Sequence, residues 1–341
     1  MSAAIRVGIA DDSPAVVELL SALVGAQPGM VLCGVARDGV EAVELARRAQ
    51  PDLLVMDVVM PRLDGLDATA AIMAEAPTRV LLISAVSEAL QTSLSFRAIE
   101  AGALELIAKS EDRAGMRGFG ERVLEAIRLM AEVPVVSRRR PSAVPPRAPV
   151  RRPRTVEAVG LVASTGGPPA IAALLSALER AGGAAILIAQ HMTPGFSQGF
   201  ARWLGMVVGR KVEVARGGAP CEPGHIYIAP DRYHLEVDGR RALVTPQGFG
   251  SVPCPSGSRL LSSLARAYGH RAAGVVLSGM GDDGAAGLLE LRRAGGVTLA
   301  QDAASSVVFA MPHAAQAAGA ADLLLPPAAL AALLSEALVE G

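Results

Sequence analysis

The sequence predicts an α/β protein with two doubly wound, mainly parallel sheets. Its length of 341 residues suggests roughly two domains at about 150 residues each. Short apolar runs alternate with helical patterns on both sides of a segment rich in proline and arginine. This alternation is typical of parallel strands joined by helices. Because many of the runs end in polar residues, we expect functional sites at the carboxyl ends of the strands.

Composition limits the classes of protein to which the chain can belong. Hydrophobic residues make up 51%, but no apolar run approaches the ~18 residues of a membrane span. The N-terminus has no signal-peptide pattern, so we expect a cytoplasmic protein without membrane insertion. Three widely separated cysteines indicate reduced thiols. A net charge of −1 gives no general attraction to nucleic acid.

The first third of the chain contains apolar runs that end in polar or charged residues able to take part in a reaction. These runs are 5–12, 52–57, 80–84 and 104–109, with a further predicted strand at 31–35 and helices at 14–24 and 39–48. In a parallel sheet, their polar ends would meet at one edge. The residues brought together would be Asp11, Asp12, Asp57, Ser84 and Lys109.

This group of side chains predicts a phosphorylation site. Asp11, Asp12 and Asp57 would repel one another without a cation, and Mg²⁺ suits a cluster of oxygen ligands. Asp57 is the predicted phosphoryl acceptor, because a carboxylate can act as a nucleophile. Lys109 would neutralise the product, and the Ser84 hydroxyl would donate to a phosphoryl oxygen. For each residue alone, helix capping or solvation is the simpler explanation, but the combination favours phosphorylation.

Residues 1–130 resemble a two-component receiver domain through the five residues just described and the segment Met56–Gly65. The resemblance implies a flavodoxin-like (βα)5 fold, Mg²⁺ and phosphorylation by a histidine kinase. Two positions depart from the usual pattern. Ser110 replaces the proline that commonly follows the lysine, and Leu106 replaces an aromatic residue.

Residues 131–157 are predicted to be a linker between the two domains. The part from Pro134 to Arg154 contains six prolines, seven arginines and no acidic residue. Proline keeps such a segment extended, and its like charges resist collapse. Binding of nucleic acid through these arginines is the less favoured alternative, because the segment has no aromatic residue for stacking.

The second domain, 158–341, is predicted to bring a serine, a histidine and an aspartate to one sheet edge. An apolar run from Val159 ends at Ser164 in a turn rich in glycine and proline, 184–191 ends in His191, and 272–278 leads into a glycine-rich turn that contains Asp283. The other predicted elements are a helix at 170–180, a strand at 224–230 and a hairpin at 234–244.

These three residues fit the roles of a serine hydrolase: nucleophile, base and orienting carboxylate. The backbone N–H groups around Thr165, Gly166 and Met280 would form the oxyanion hole. Three alternatives remain from the residues alone. Ser164 suits a helix cap or a phosphate site, Asp282 suits the carboxylate role as well as Asp283 does, and a dinucleotide fold competes, although the G-x-G-x-x-G pattern is missing.

Residues 158–341 resemble the catalytic domain of the chemotaxis protein-glutamate methylesterases. The resemblance is carried by the motifs 163–168, 190–192, 223–230, 278–285 and 300–312. It implies the triad Ser164, His191 and Asp283. It also implies that the enzyme hydrolyses glutamyl methyl esters of chemoreceptors to methanol, deamidates particular glutamines, and needs no cofactor for the esterase reaction.

One departure lies at 252–258, where Cys254 to Ser258 replace a histidine- and aspartate-containing segment of the family. We expect this departure to affect substrate fit or domain contact. The pathway that the protein serves is therefore either flagellar chemotaxis or another chemosensory system. Phosphorylation of Asp57 is expected to open access to Ser164. The alternative is a receiver-controlled chemosensory binding protein without significant esterase activity.

Overall fold

The computed structural model describes residues 4–85, 98, 101, 103, 105–109, 113–131, 156–178, 183–192, 194–248 and 253–338. The chain divides into two compact units, Met1–Arg139 and Arg140–Gly341. Residues 132–155, most of the predicted linker, lie outside the described part, so the domain limits at 130 and 158 stay predictions. No helix among the described residues is long and apolar enough to cross a membrane.

The first unit is built on a five-stranded parallel sheet. Its strands are β1 Ile5–Ala10, β2 Met30–Ala36, β3 Leu53–Asp57, β4 Arg79–Ser84 and β5 Glu105–Ala108. They lie in the order β2-β1-β3-β4-β5. The described helices are α1 Pro14–Gly25, α2 Gly39–Ala49, α3 Gly65–Glu75 and α4 Arg113–Met130. This is the predicted flavodoxin-like order.

The strands of the first unit are apolar because both faces of the sheet are covered. All five residues of β3 are buried, and separate hydrophobic clusters lie on the two sides of the sheet. Leu106, one of the departures from the receiver pattern, is a half-buried residue of β5 that packs against one of these clusters. Ser110, the other departure, lies outside the described residues.

The second unit contains a seven-stranded parallel sheet and a two-stranded antiparallel sheet. The strands are β6 Ala158–Ala163, β7 Ala185–Gln190, β8 Val212–Val214, β9 Ile226–Ile228, β10 Tyr233–Asp238, β11 Arg241–Pro246, β12 Ala272–Val276, β13 Val297–Gln301 and β14 Leu323–Leu325. The helices are α5 Gly167–Ala177, α6 Ser197–Val208, α7 Gly257–Tyr268, α8 Ala285–Arg293, α9 Ala310–Ala317 and α10 Pro327–Leu338. The large sheet has the order β14-β13-β12-β6-β7-β9-β8.

β10 and β11 form the predicted hairpin. Asp238 pairs with Arg241, so the two-residue turn is Gly239–Arg240, one residue later than the Asp238–Gly239 turn predicted from the sequence. Gly239 has φ 57, a conformation that glycine adopts without a steric cost.

The centre of the large sheet positions the site. β6 lies between β12 and β7, with Val162 level with Val276 and Ala163 level with Gln190. α7 packs closely on these strands because Gly160 leaves room for its leucines: a Cβ there would lie 2.7 Å from Leu261 Cδ2. The N-terminus of α7 is thereby brought to the edge where the three strands end.

Candidate functional site

In the first unit, the carboxyl ends of the strands bring the predicted phosphorylation residues together. Lys109 Nζ lies 2.7 Å from Asp11 Oδ2 and 3.0 Å from Asp57 Oδ1. Asp11 is fully buried, whereas Asp12 is exposed. Ser84, the last residue of β4, is buried and its carbonyl accepts from Lys109 N at 2.7 Å.

The three carboxylates fit a divalent cation. Oxygen atoms of Asp11, Asp12 and Asp57 all lie within 4.8 Å of one another, and a hard cation such as Mg²⁺ takes carboxylate ligands. Burial raises the pKa of Asp57 to about 6, and the nearby Asp11 acts in the same direction, although Lys109 opposes both. A cation at this position would favour the charged form of Asp57.

In the second unit, Ser164 and His191 follow neighbouring strands in the same register. Ala163 pairs with Gln190, and His191 N donates to the Ala163 carbonyl at 2.9 Å. The Ser164 N–H donates to the Ser278 carbonyl at 3.0 Å, which joins it to the end of β12 on its other side. Within the described part of the chain, no hydrogen bond joins the Ser164 hydroxyl to His191, and such bonds often tighten only when substrate binds.

Asp283 contacts His191 directly, with 2.9 Å between Asp283 Oδ2 and His191 Nε2. The carboxylate also accepts from Gly257 N at 2.6 Å and from Ser258 N at 2.9 Å, both at the start of α7. Burial alone would raise the pKa of Asp283, but the hydrogen bonds from His191, Ser258 and Gly257 outweigh it and lower the pKa to about 2. Asp283 is therefore a buried, ionised partner of His191, whereas Asp282 is exposed.

The turn after β6 holds Ser164 by close backbone contacts. Gly166 has φ 75, and a Cβ on Gly279 would lie 2.8 Å from Ser164 Cβ. Ser278 Oγ donates to the Thr165 carbonyl at 2.7 Å. Among the described residues, the backbone N–H groups of Thr165, Gly166 and Met280 donate to no acceptor, which leaves them available to an oxyanion.

Sequence reasoning did not identify Gln190 or Ser256 as parts of this site. The Gln190 amide donates to the carbonyls of Ser164 and His191, at 2.8 Å in each case. Ser256 caps α7 and donates from Oγ to Asp283 Oδ1 at 3.2 Å. The serine before a helical pattern is a recognisable capping signal, but nothing in the sequence links it to Asp283.

The 252–258 segment contacts the site more closely than we expected from the sequence. Its last three residues, Ser256 to Ser258, all donate to Asp283. The expected effect of this departure on substrate fit or domain contact stays a prediction. The three cysteines are free thiols, and burial raises the pKa of Cys221 to about 11, so that thiol is a poor nucleophile.

Comparison with known proteins gives matches over almost the whole chain. Residues 159–334 match the CheB methylesterase family model, and residues 7–118 match the response regulator receiver domain model. The chain is 48% identical, over 97% of its length and 93% of the relative's, to protein-glutamate methylesterase/protein-glutamine glutaminase 3 of Myxococcus xanthus. A protein of the same name from Anaeromyxobacter dehalogenans is 43% identical over 96% of this chain and 97% of that relative. The crystal structure of the Thermotoga maritima CheB methylesterase catalytic domain covers 53% of this chain and 98% of its own, with a TM-score of 0.50 and 30% identity.

Proposed function

This chain belongs to the CheB methylesterase family, and we propose that it is a protein-glutamate methylesterase and protein-glutamine glutaminase activated by phosphorylation of Asp57. Its substrates would be glutamyl methyl esters and particular glutamines of chemoreceptors, and it would act in the cytoplasm. The observation that carries the proposal is the 2.9 Å contact between His191 and Asp283, next to Ser164 in the part that matches the family model.

In the proposed reaction, Ser164 Oγ attacks the ester carbonyl carbon while His191 accepts the hydroxyl proton. The carbonyl oxygen becomes an oxyanion that the N–H groups of Thr165, Gly166 and Met280 would stabilise. Collapse breaks the bond to the methoxy group, which takes the proton from His191 and leaves as methanol. His191 then activates a water molecule, which releases glutamate and restores Ser164. With glutamine, the same steps release ammonia.

Asp283 would hold the imidazole in one tautomer and stabilise its charged form. Because His191 Nε2 contacts Asp283, Nδ1 is the nitrogen that would exchange the proton with Ser164. The low pKa of Asp283, which results from its hydrogen bonds outweighing burial, keeps it ionised during turnover.

In the receiver, Asp57 would accept a phosphoryl group from a histidine kinase. Asp11, Asp12 and Asp57 would hold Mg²⁺, which supplies positive charge against the phosphoryl oxygens. Lys109, 3.0 Å from Asp57 Oδ1, would neutralise the product, and the Ser84 hydroxyl would donate to it.

Methanol release tests both parts of the proposal. The full-length protein is given a helical peptide that carries a glutamate γ-methyl ester, and a methylated chemoreceptor, each with and without acetyl phosphate as phosphodonor. We expect phosphodonor and Mg²⁺ to raise the rate. Ser164→Ala should reduce turnover by about 10³- to 10⁶-fold, and Asp57→Ala should abolish the response to phosphodonor.

Two controls separate these effects from general damage. Ser262→Ala alters a half-buried serine of α7, and Asp67→Ala alters an exposed aspartate of α3; both should behave as the unmodified protein. Wild-type turnover in Ser164→Ala would exclude Ser164 as the nucleophile. Receptor binding that depends on phosphodonor but releases no methanol would instead favour the binding-protein alternative.

A further inference from the structure

We propose that His234 is a positioning residue for Asp283, acting through the main chain of Ser256. The inference rests on the proposed function, because it assumes that Asp283 orients His191. His234 lies on β10 and is 2% exposed. From the sequence alone, this histidine has no predicted role beyond packing.

The start of α7 supplies three hydrogen-bond donors to the Asp283 carboxylate. Gly257 N, Ser258 N and Ser256 Oγ donate to it at 2.6, 2.9 and 3.2 Å. Helix N-termini favour negative charge for this reason. The position of Asp283, and with it the orientation of His191, therefore depends on where α7 begins.

His234 fixes that starting point. Its Nδ1 accepts a hydrogen bond from the backbone N–H of Ser256 at 3.0 Å. Because a backbone N–H can only donate, this Nδ1 must be unprotonated, and the neutral ring must carry its proton on Nε2. A second contact, from Val237 N to Ser263 Oγ at 2.9 Å, joins the same strand to α7 further along the helix.

Among the described residues, three charged groups act on His234. Arg259 lies on α7, Glu236 on β10, and Asp283 in the turn before α8. Burial lowers the pKa of His234, and Arg259 acts in the same direction, whereas Glu236 and Asp283 oppose the shift. The neutral form, which is the form that accepts from Ser256, is therefore favoured at neutral pH.

Protonation of His234 would place an N–H group against the N–H of Ser256. This buried donor would lose its acceptor, and the segment Ser256–Ser258 would move away from its place beside Asp283. Because His191 must also be neutral to accept a proton, activity would require two uncharged imidazoles. The acid limb of log kcat against pH should then approach a slope of two rather than one.

Two substitutions in the full-length protein test this role. His234→Asn places a carbonyl oxygen near the position of Nδ1 and does not titrate, whereas His234→Leu supplies no acceptor. With the ester peptide at pH 7.5, we expect Asn to keep kcat within about 3-fold and Leu to lower it by about 10- to 100-fold, with KM little changed. The acid limb of the Asn variant should have a slope of one.

The outcomes separate positioning from simple packing. If His234 only fills space, the apolar leucine should retain more activity than asparagine, and that order would overturn the inference. Should the Leu variant fail to fold, as judged by circular dichroism, the pH profile of the Asn variant decides: a slope equal to that of the unmodified protein would contradict the proposal. His270→Asn, which changes an exposed histidine, is the matched control.

Ser164→Ala is measured in the same series. If it keeps full turnover, the proposed function fails, whatever His234 does. If it is inactive while His234→Leu retains the kcat and pH profile of the unmodified protein, only the role of His234 is excluded.

Discussion

The side-chain amide of Gln190 donates to the main-chain carbonyl of Ser164 at 2.8 Å, across 26 positions of sequence. The same nitrogen donates to the carbonyl of His191, also at 2.8 Å. One amide group thus joins the ends of β6 and β7, which carry the proposed nucleophile and base. Gln190 Oε1 is buried and has no hydrogen-bond partner among the described residues. A Cβ on residue 167 would lie 2.2 Å from this oxygen, so the glycine at 167 leaves room for the Gln190 side chain.

Replacing Gln190 with leucine should lower kcat by about 10- to 100-fold, because the two carbonyls lose their shared donor and the Ser164 turn is no longer fixed. The loss of buried hydrogen bonds should also reduce the free energy of unfolding by about 1–3 kcal/mol. Steady-state kinetics with the ester peptide and urea titration measure the two effects. Gln247→Leu, at an exposed position, is the control, and an unchanged kcat in Gln190→Leu would show that the bridge is dispensable.

Gly279→Ala should inactivate the enzyme because the added Cβ would clash with neighbouring atoms. The new Cβ would lie 2.1 Å from Met311 Sδ and 2.9 Å from Ser164 N, and this backbone atom cannot move without displacing Ser164, the proposed nucleophile. We expect turnover to fall by at least about 10²-fold, with a loss of stability of about 1–3 kcal/mol. Methanol release and thermal unfolding provide the measurements. Gly248→Ala adds a Cβ that, its chain neighbours apart, meets no atom of the described residues within 4 Å, and it should leave both unchanged; comparable losses in the two variants would refute this explanation.

Asp283→Asn should reduce kcat by about 10²- to 10⁴-fold, because the amide presents an N–H to the donors at the start of α7 and misorients His191. Hydrogen bonds outweigh burial and lower the pKa of Asp283 to about 2 from 3.8. The stability that Asp283 contributes is therefore fully present above about pH 4 and is lost as the pH falls toward 2.

Urea unfolding between pH 2 and 7 measures this pH dependence of stability. Asp283→Asn should not show the loss of stability as the pH falls toward 2. Asp282→Asn is the matched control, since it changes the neighbouring exposed carboxylate. If Asp282→Asn proved to be the inactive variant, the roles of the two residues would have to be exchanged.

In the receiver, Asp57→Asn should increase stability at pH 7 when Mg²⁺ is absent. Burial raises the pKa of Asp57 to about 6 from 3.8, so the folded state holds a proton that the unfolded state releases between these values. The free energy of unfolding therefore falls as the pH rises from about 4 to about 6 and stays at this lower value at higher pH. The gain in Asp57→Asn should be about 1–3 kcal/mol at pH 7 and should become small near pH 4.

Hydrogen exchange of amides in β3, corrected for intrinsic rates at each pH, measures this difference. Asp67→Asn, an exposed substitution on α3, should show no such pH dependence. An equal gain for Asp57→Asn at pH 4 and pH 7 would mean that protonation of the carboxylate is not its cause.

Much of the fold was predictable because the relevant signals are local. Apolar runs, turn glycines and helical periodicity lie within a few residues of one another, and they placed Ser164, His191 and Asp57 at strand ends. The strands β8, β13 and β14 were not predicted. They have three, five and three residues, and runs this short carry little periodicity.

The sequence by itself determined the α/β class, the two sets of strand ends and the residues proposed for phosphoryl transfer and ester hydrolysis. The residues alone left Asp282 and Asp283 equivalent, and the family resemblance implied Asp283, which is the one that contacts His191. Tertiary structure alone decided that the start of α7 surrounds this carboxylate and that His234 accepts from Ser256. These contacts join residues 22 to 92 positions apart. Their partners are set by strand order and helix packing, which bring together side chains that no local pattern connects.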